Sequence, residues 1–284
     1  MDSDGEYSAD PFPLLRAAKL GDVHALRRFI AAGEDLNTED EDGYTPLHWL
    51  VCNDPYSEND AIVPDRFACL SALVAAGADV NRMGGGRDDD DEEPCTPLID
   101  ALFPYHYVSN SHNESLRKQC PAVVSMLLRA GADVRMATAE GMTPLHMAAI
   151  WGMWYIIPML LAAGAEVDAI MHIFLGAPSN TGLRGPKLPE TPLDSALRSL
   201  HGQTSVQNRN RVFRMLIRAG ARIPTQFDRA RAPYVDKVAR AGGYAQYEKA
   251  HRTRLAAIFI PKLTRLPAEV VHHIVSILWD CGGH

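Results

Sequence analysis

The sequence predicts an all-α solenoid of about five helix–turn–helix repeats with a helical C-terminal extension, and two recurrences carry that prediction. The triplet Thr-Pro-Leu begins at Thr45, Thr96, Thr143 and Thr191. Threonine supplies a cap oxygen and proline takes the first helical position, where its missing N–H costs nothing, so each triplet opens a helix. An Ala-Gly pair followed by two residues and then an apolar one recurs with its glycine at Gly33, Gly77, Gly131, Gly164 and Gly220. Each glycine closes a helix where a positive φ is wanted. Helices this short and apolar are not stable alone, so the pairs must bury their faces against one another.

The central unit, Gly141–Asp168, is complete. Thr143-Pro144-Leu145-His146 opens its first helix, Gly152 stops it, and a second helix is expected from Trp154 to Ala163. Leu145 and Leu161 are expected in the core between repeats. With Thr-Pro-Leu-His-x-Ala and a period of roughly 33 residues, the sequence strongly resembles the ankyrin repeat family from about Pro13 to Pro224. The resemblance places repeats at about 11–37, 44–81, 95–135, 142–168 and 190–224, within a region 11–224. Residues 1–10, acidic and polar, are expected to be disordered. The first unit, Leu14–Lys19 and Asp22–Ala31, lacks the triplet, as expected where one face has no neighbour. Asp42-Gly43-Tyr44 makes the hairpin turn into the second. The resemblance further implies that His48 and His146, with Thr45 and Thr143, are structural residues of the repeat, each imidazole hydrogen-bonding between adjacent hairpins. The third repeat has Ile99 at that position and the fifth has Asp194.

Composition is that of an ordinary soluble chain: 46% of residues are hydrophobic and 22% charged. The formal charge of -7 and the lack of a dominant basic stripe in any repeat argue against nucleic acid as a partner. The acidic start is neither a signal nor a transit peptide, and no apolar stretch reaches membrane-spanning length, so no membrane partner is expected. Cys52, Cys69, Cys95, Cys120 and Cys281 form no Cys-x-x-Cys pair, which points to a reduced protein of the cytoplasm, with the nucleus as the alternative. The first four read as small apolar residues of the helices.

Spacing locates the insertions. Thr143 to Gly164 spans 21 residues, against 32, 35 and 29 in the second, third and fifth repeats, and the surplus falls at Asn53–Asp65, Pro104–Cys120 and Gly202–Asn210. Two hairpin fingers, Met83–Pro94 and Ile170–Glu190, are also long. Such insertions either vary harmlessly or carry binding specificity on a constant scaffold. In the first finger three glycines precede Asp88, Asp89, Asp90, Asp91, Glu92 and Glu93. This run is either a solvated tip or a surface for a basic partner, and it lacks the ligand spacing of a metal loop. In the second, Met171, Ile173, Phe174, Leu175 and Leu183 are apolar, while its glycines and prolines argue against any regular element. It must fold back over the stack or expose an apolar patch, and folding back is the reading taken.

No catalytic constellation is present: no His-Glu-x-x-His, no Gly-x-Ser-x-Gly and no phosphate-cradling glycine loop, so neither an enzyme nor a cofactor or metal site is expected. After Pro224 two helices, Arg231–Ala241 and Tyr244–Ile260, read as a cap (225–260) covering the last repeat. Arg229, Arg231, Arg240, Arg252 and Arg254 make it basic. The terminal segment, 261–284, holds one amphipathic helix. Its pattern Leu266-Pro267-x-Glu269-Val270-Val271 with Ile274, Leu278 and Trp279 resembles the opening of an F-box, and ankyrin proteins with a SOCS box share the layout. That resemblance implies docking on a cullin adaptor of the Skp1 or elongin type. Three functions are therefore open: a protein-binding scaffold that is also the substrate receptor of a cullin–RING ubiquitin ligase; a plain scaffold whose terminal helix only caps the stack; and, least supported, an enzyme using the finger insertions.

Overall fold

Every triplet described begins a helix in the computed structural model, which describes residues 12–51, 65–85, 93–103, 113–174, 187–198, 206–230, 232–259, 267, 269 and 270. The helices fall into pairs: α1 (Pro13–Leu20) with α2 (Val23–Ala32), α3 (Pro46–Val51) with α4 (Arg66–Ala76), and α5 (Pro97–Asp100) with α6 (Asn113–Arg129). The series continues with α7 (Pro144–Ile150) and α8 (Ile157–Ala162), then α9 (Pro192–Arg198) and α10 (Val206–Arg218). A last pair, α11 (Pro233–Arg240) and α12 (Tyr244–Phe259), follows the fifth repeat. First helices touch in chain order, α1 on α3, α3 on α5, α5 on α7 and α7 on α9. Second helices do so where α2 meets α4 and α8 meets α10, and α11 packs on α10. Among the described residues the architecture is thus an all-α stack, apart from a short two-stranded ribbon and an isolated bridge.

Caps set the helix ends. Asp22 accepts from the N–H of His24 and Ala25 at 3.0 and 2.9 Å, and Thr143 with His146 forms a two-way capping box. The closing glycines sit at positive φ, from 81° at Gly33 to 99° at Gly220. In the central unit the second helix starts at Ile157, three residues later than the sequence suggests. Pro158 has no N–H to give the Trp154 carbonyl, so Trp154–Ile156 remain a turn leading in.

Packing is continuous from Leu14 to Val238 in one apolar cluster. Leu145 and Leu160 are fully buried within it, whereas Leu161, expected in the core, is only partly buried. Burial shows that Leu160 is the leucine of α8 that faces inward. Cys69 is buried and Cys120 half-buried, and burial pushes both thiols up to about 11. Cys95 differs from the apolar reading: its Sγ donates to the buried Asp100 carboxylate at 2.7 Å. Buried Arg66, not singled out by sequence, donates from Nε to the Leu50 carbonyl and from Nη2 to that of Val51 at 2.6 Å. A cation thereby closes the C-terminal end of α3.

The ribbon lies in the second long finger. β1 (Met171–Phe174) pairs antiparallel with β2 (Lys187–Glu190), Met171 opposite Glu190 and Phe174 opposite Lys187. The expectation of no regular element is corrected here, because the glycines and Pro178 and Pro186 fall between the strands and Pro189 lies in the short second strand of a two-stranded ribbon, where a lost N–H costs little. Met171 folds back and is buried, while Ile170 and Leu188 are exposed. Leu175 and Leu183 lie outside the described residues.

Candidate protein-binding surface

The joints between repeats are built from the Thr-Pro-Leu-His motif upward. In the second repeat the His48 Nδ1 accepts from the Thr45 N–H at 3.2 Å and lies 2.7 Å from the Thr45 Oγ1. Because Nδ1 accepts, the ring proton sits on Nε2 and is donated to the Cys95 carbonyl of the next finger at 3.1 Å. The fourth repeat repeats this geometry: His146 takes the Thr143 N–H at 3.3 Å and gives to the Glu190 carbonyl at 3.2 Å. Burial holds both imidazoles at a pKa of about 4, against the upward pull of those carbonyls. In the fifth repeat the Asp194 carboxylate caps in the histidine's place, accepting from the Thr191 N–H at 3.0 Å and its hydroxyl at 2.8 Å. A carboxylate cannot donate onward as the imidazole does. In the third, Thr96 Oγ1 accepts from the Ile99 N–H at 3.4 Å, and Ile99 itself is buried.

Close approach of the fingers depends on two glycines. A Cβ on Gly84 would lie 2.5 Å from His48 Cε1, and one on Gly141, at φ 86°, would lie 2.8 Å from the Ile170 carbonyl oxygen. With that space open, Gly84 pairs with Cys95 at the base of the acidic finger, and the His172 N–H reaches the Glu140 carbonyl at 2.7 Å. A second tie was missed in the sequence. Asn37, Asn81 and Asp168, each four residues after a closing glycine, accept the N–H of Asp79, Asp133 and Arg222 of the next repeat at 2.8, 2.8 and 2.9 Å. The recurring Asn or Asp at that offset was the available signal, and Arg135 interrupts it.

Of the residues proposed for partner contact, Asp88, Asp89, Asp90, Asp91 and Glu92 lie outside the described residues, as do Leu266, Val271, Ile274, Leu278 and Trp279. Glu93 is described: its carboxylate accepts the Glu140 N–H at 3.1 Å, tying the acidic finger to its neighbour. Pro267, Glu269 and Val270 are exposed, Val270 by 42%. Of the expected insertions between helices, residues 53–64, 104–112 and 202–205 lie outside the described residues, whereas Asn113–Cys120 and Val206–Asn210, expected as loop, belong to helices α6 and α10.

Sequence reasoning also passed over an aromatic cluster beside the first finger. Trp49 donates from Nε1 to Asp40 at 2.6 Å, packs 5.7 Å from the Tyr44 ring, and carries the Lys19 ammonium 3.8 Å above its face. Both rings are half-buried, so a braced apolar surface with a cation on it remains open to solvent.

Charge is not spread evenly, which corrects the reading that no repeat has a dominant basic stripe. Residues 1–100 hold 23 Asp and Glu against seven Lys and Arg, a formal -16, whereas residues 206–259 hold three against twelve, a formal +9. No Asp or Glu occurs between Asp194 and Asp228, a stretch that includes all of α10. Among the described residues no group of His, Cys, Asp and Glu is arranged to hold a metal ion, and no helix is long and apolar enough to cross a membrane.

Comparison with known proteins agrees with this architecture. A family model, Ankyrin repeat, matches residues 42–84 and 140–172. A putative palmitoyltransferase ZDHHC13 of Danio rerio is 26% identical over 155 residues, covering 55% of this chain and 19% of that protein. Rabankyrin-5 of Mus musculus is 27% identical over 175 residues, 56% of this chain and 14% of its own. The putative ankyrin repeat protein YahD of Escherichia coli is 25% identical over 207 residues, 55% of this chain and 97% of its own. This chain thus spans under a fifth of the palmitoyltransferase, so the similarity does not extend to that protein as a whole.

Proposed function

We propose that this chain, an all-α stack of ankyrin repeats, is a non-enzymatic scaffold that binds a protein target through its fingers and the concave face formed with the first helices. The observation that carries the reading is the Trp49–Tyr44–Lys19 cluster. It is a rigid, half-exposed aromatic surface at the base of a finger, of the kind that concentrates binding energy in protein interfaces. The motif polar groups are meanwhile consumed by the joints: His48 and His146 face the next finger, and both are held neutral. The palmitoyltransferase similarity does not change this, since it covers only a fraction of that relative. Trp49→Ala should abolish capture of the target by proximity crosslinking while the far-ultraviolet spectrum stays that of the parent. Unchanged capture would remove the concave face as the binding site.

On the sharper reading, the scaffold is a substrate receptor of a cullin–RING ubiquitin ligase acting in the cytoplasm or nucleus. Leu266, Pro267, Val270, Val271, Ile274, Leu278 and Trp279 would dock on an adaptor of the Skp1 or elongin type, and the acidic finger would engage the target. The Leu-Pro-x-Glu-Val pattern and the exposure of Val270 support it. Ile274→Asp with Leu278→Asp should end retention of purified adaptor and leave the unfolding temperature of the repeats unchanged. If the double variant unfolds the chain, or the parent retains neither adaptor, the terminal helix is a cap and only the scaffold remains.

A further inference from the structure

Among the described residues a row of arginines runs along the second helix of the fifth repeat, α10. On α10, Val212, Phe213, Leu216 and Ile217 are buried, which turns Arg211, Arg214 and Arg218, spaced by three and four residues, to the opposite face. That stripe is about 10 Å long, at 1.5 Å per residue. The Arg211 guanidinium lies 4.4 Å above the Trp154 ring and that of Arg214 lies 5.3 Å above Tyr234. Stacking fixes each plane and leaves its N–H edge for an incoming acceptor. Among the described residues neither is in an ion pair, whereas the cap arginines Arg229 and Arg240 are spent on Asp236 and Arg252 on Glu248. Where α10 ends, a groove of about 470 Å³ opens against the cap, lined by Ile217, Ala221, Ile223, Phe227 and Tyr244 among others.

We propose that this arginine face and the groove beside it bind an acidic polypeptide segment of a partner protein, its carboxylates on Arg211 and Arg214 and an apolar side chain in the groove. Nucleic acid fits less well. Single strands bind by stacking bases on open aromatic faces, and the faces of Trp154 and Tyr234 already carry arginine. A short acidic segment also matches the length of the stripe, which a long polyanion would overrun. The proposal rests on the scaffold reading but uses the outer helix rather than the concave face, so the two fail separately.

The test is fluorescence anisotropy of the full chain with a labelled short peptide of Asp and Glu carrying one central Leu. Arg211→Glu with Arg214→Glu should weaken binding by about tenfold or more. Arg211→Gln with Arg214→Gln, which keeps the stems and is checked by thermal unfolding, should lose most of it too. Lys237→Glu with Lys249→Glu makes the same change in net charge elsewhere and should leave binding near the parent's. Trp49→Ala should leave it untouched. Equal losses in both charge-reversed pairs would reduce the effect to net charge and overturn the proposal. So would displacement of the peptide by a lower concentration of single-stranded DNA than of peptide itself. Self-association of the chain that the Arg211 and Arg214 variants abolish would overturn it as well, by assigning the face to a second copy.

Discussion

His48 and His146 do at the residue scale what holds the repeats in line: each is a neutral, buried ring that accepts from its own helix start and donates to the next hairpin. Their pKa values, lowered by burial to about 4 from the ordinary 6.5, make stability depend on pH with a definite sign. Between those values the unfolded chain binds protons that the folded chain refuses. The contribution is therefore fully present above pH 6.5 and lost as pH falls toward 4, and a shift of that size corresponds to about 3 kcal/mol for each histidine. Denaturant unfolding followed across that interval should show the midpoint falling, and His48→Asn with His146→Asn should flatten the dependence. A dependence as steep in the double variant would assign it to carboxylates instead. Gly84 belongs to the same joint. With a Cβ placed 2.5 Å from His48 Cε1, Gly84→Ala should cost roughly 1–3 kcal/mol, and thermal unfolding checks it. A neutral outcome there would mean that the finger moves freely off the imidazole.

At the scale of the element, the helix pairs were legible because their punctuation is chemical. Threonine caps, first-turn prolines and closing glycines each answer a backbone need, and α1, α2, α11 and α12 come within a few residues of where the sequence puts them. What was not legible depends on neighbours or on a single lost hydrogen bond. Pro158 delays the start of α8, and separately Leu160 rather than Leu161 faces inward, an error of one position that a helix converts into about 100° of rotation. The ribbon of β1 and β2 was hidden because its strands are only four residues long and pair with each other across a long connection, with one further bond from His172 to Glu140 of the preceding finger. The joint residues Asn37, Asn81 and Asp168 read as loop polars until their backbone partners in the next repeat are known. A direct measurement separates the two leucines. Leu160→Ala should cost about 2–5 kcal/mol and loosen both neighbouring repeats, whereas Leu161→Ala should cost under about 1.5 kcal/mol. Equal costs would show that α8 turns the other way.

On the scale of the whole molecule, a stack turns order along the chain into order in space. Each repeat packs on its neighbours, so order in the sequence becomes order along the stack: described residues 12–51, 65–85 and 93–100 hold eleven acids against six bases, whereas 206–230 and 232–259 hold three against eleven. The overall -7, which suggested an unremarkable balance, is the residue of -16 over the first hundred positions and +9 over residues 206–259. Composition averages over the chain and cannot show this, whereas a running count along the chain does. Among the described residues of the first repeats acids outnumber bases, and the Glu39–Arg82 pair at 2.7 Å, with both side chains well exposed, is a relieving contact. Self-repulsion of this kind is screened over about 10 Å at 0.1 M salt and over about 3 Å at 1 M. Raising ionic strength should therefore stabilise the acidic repeats preferentially. Followed by hydrogen exchange from low to high salt, amides of α1 to α4 should slow more than those of α7 to α9, where residues 101–205 hold seven acids against seven bases. A gain spread evenly along the stack would instead mark a general salt effect on burial, and the charge separation would then have no part in setting which end opens first.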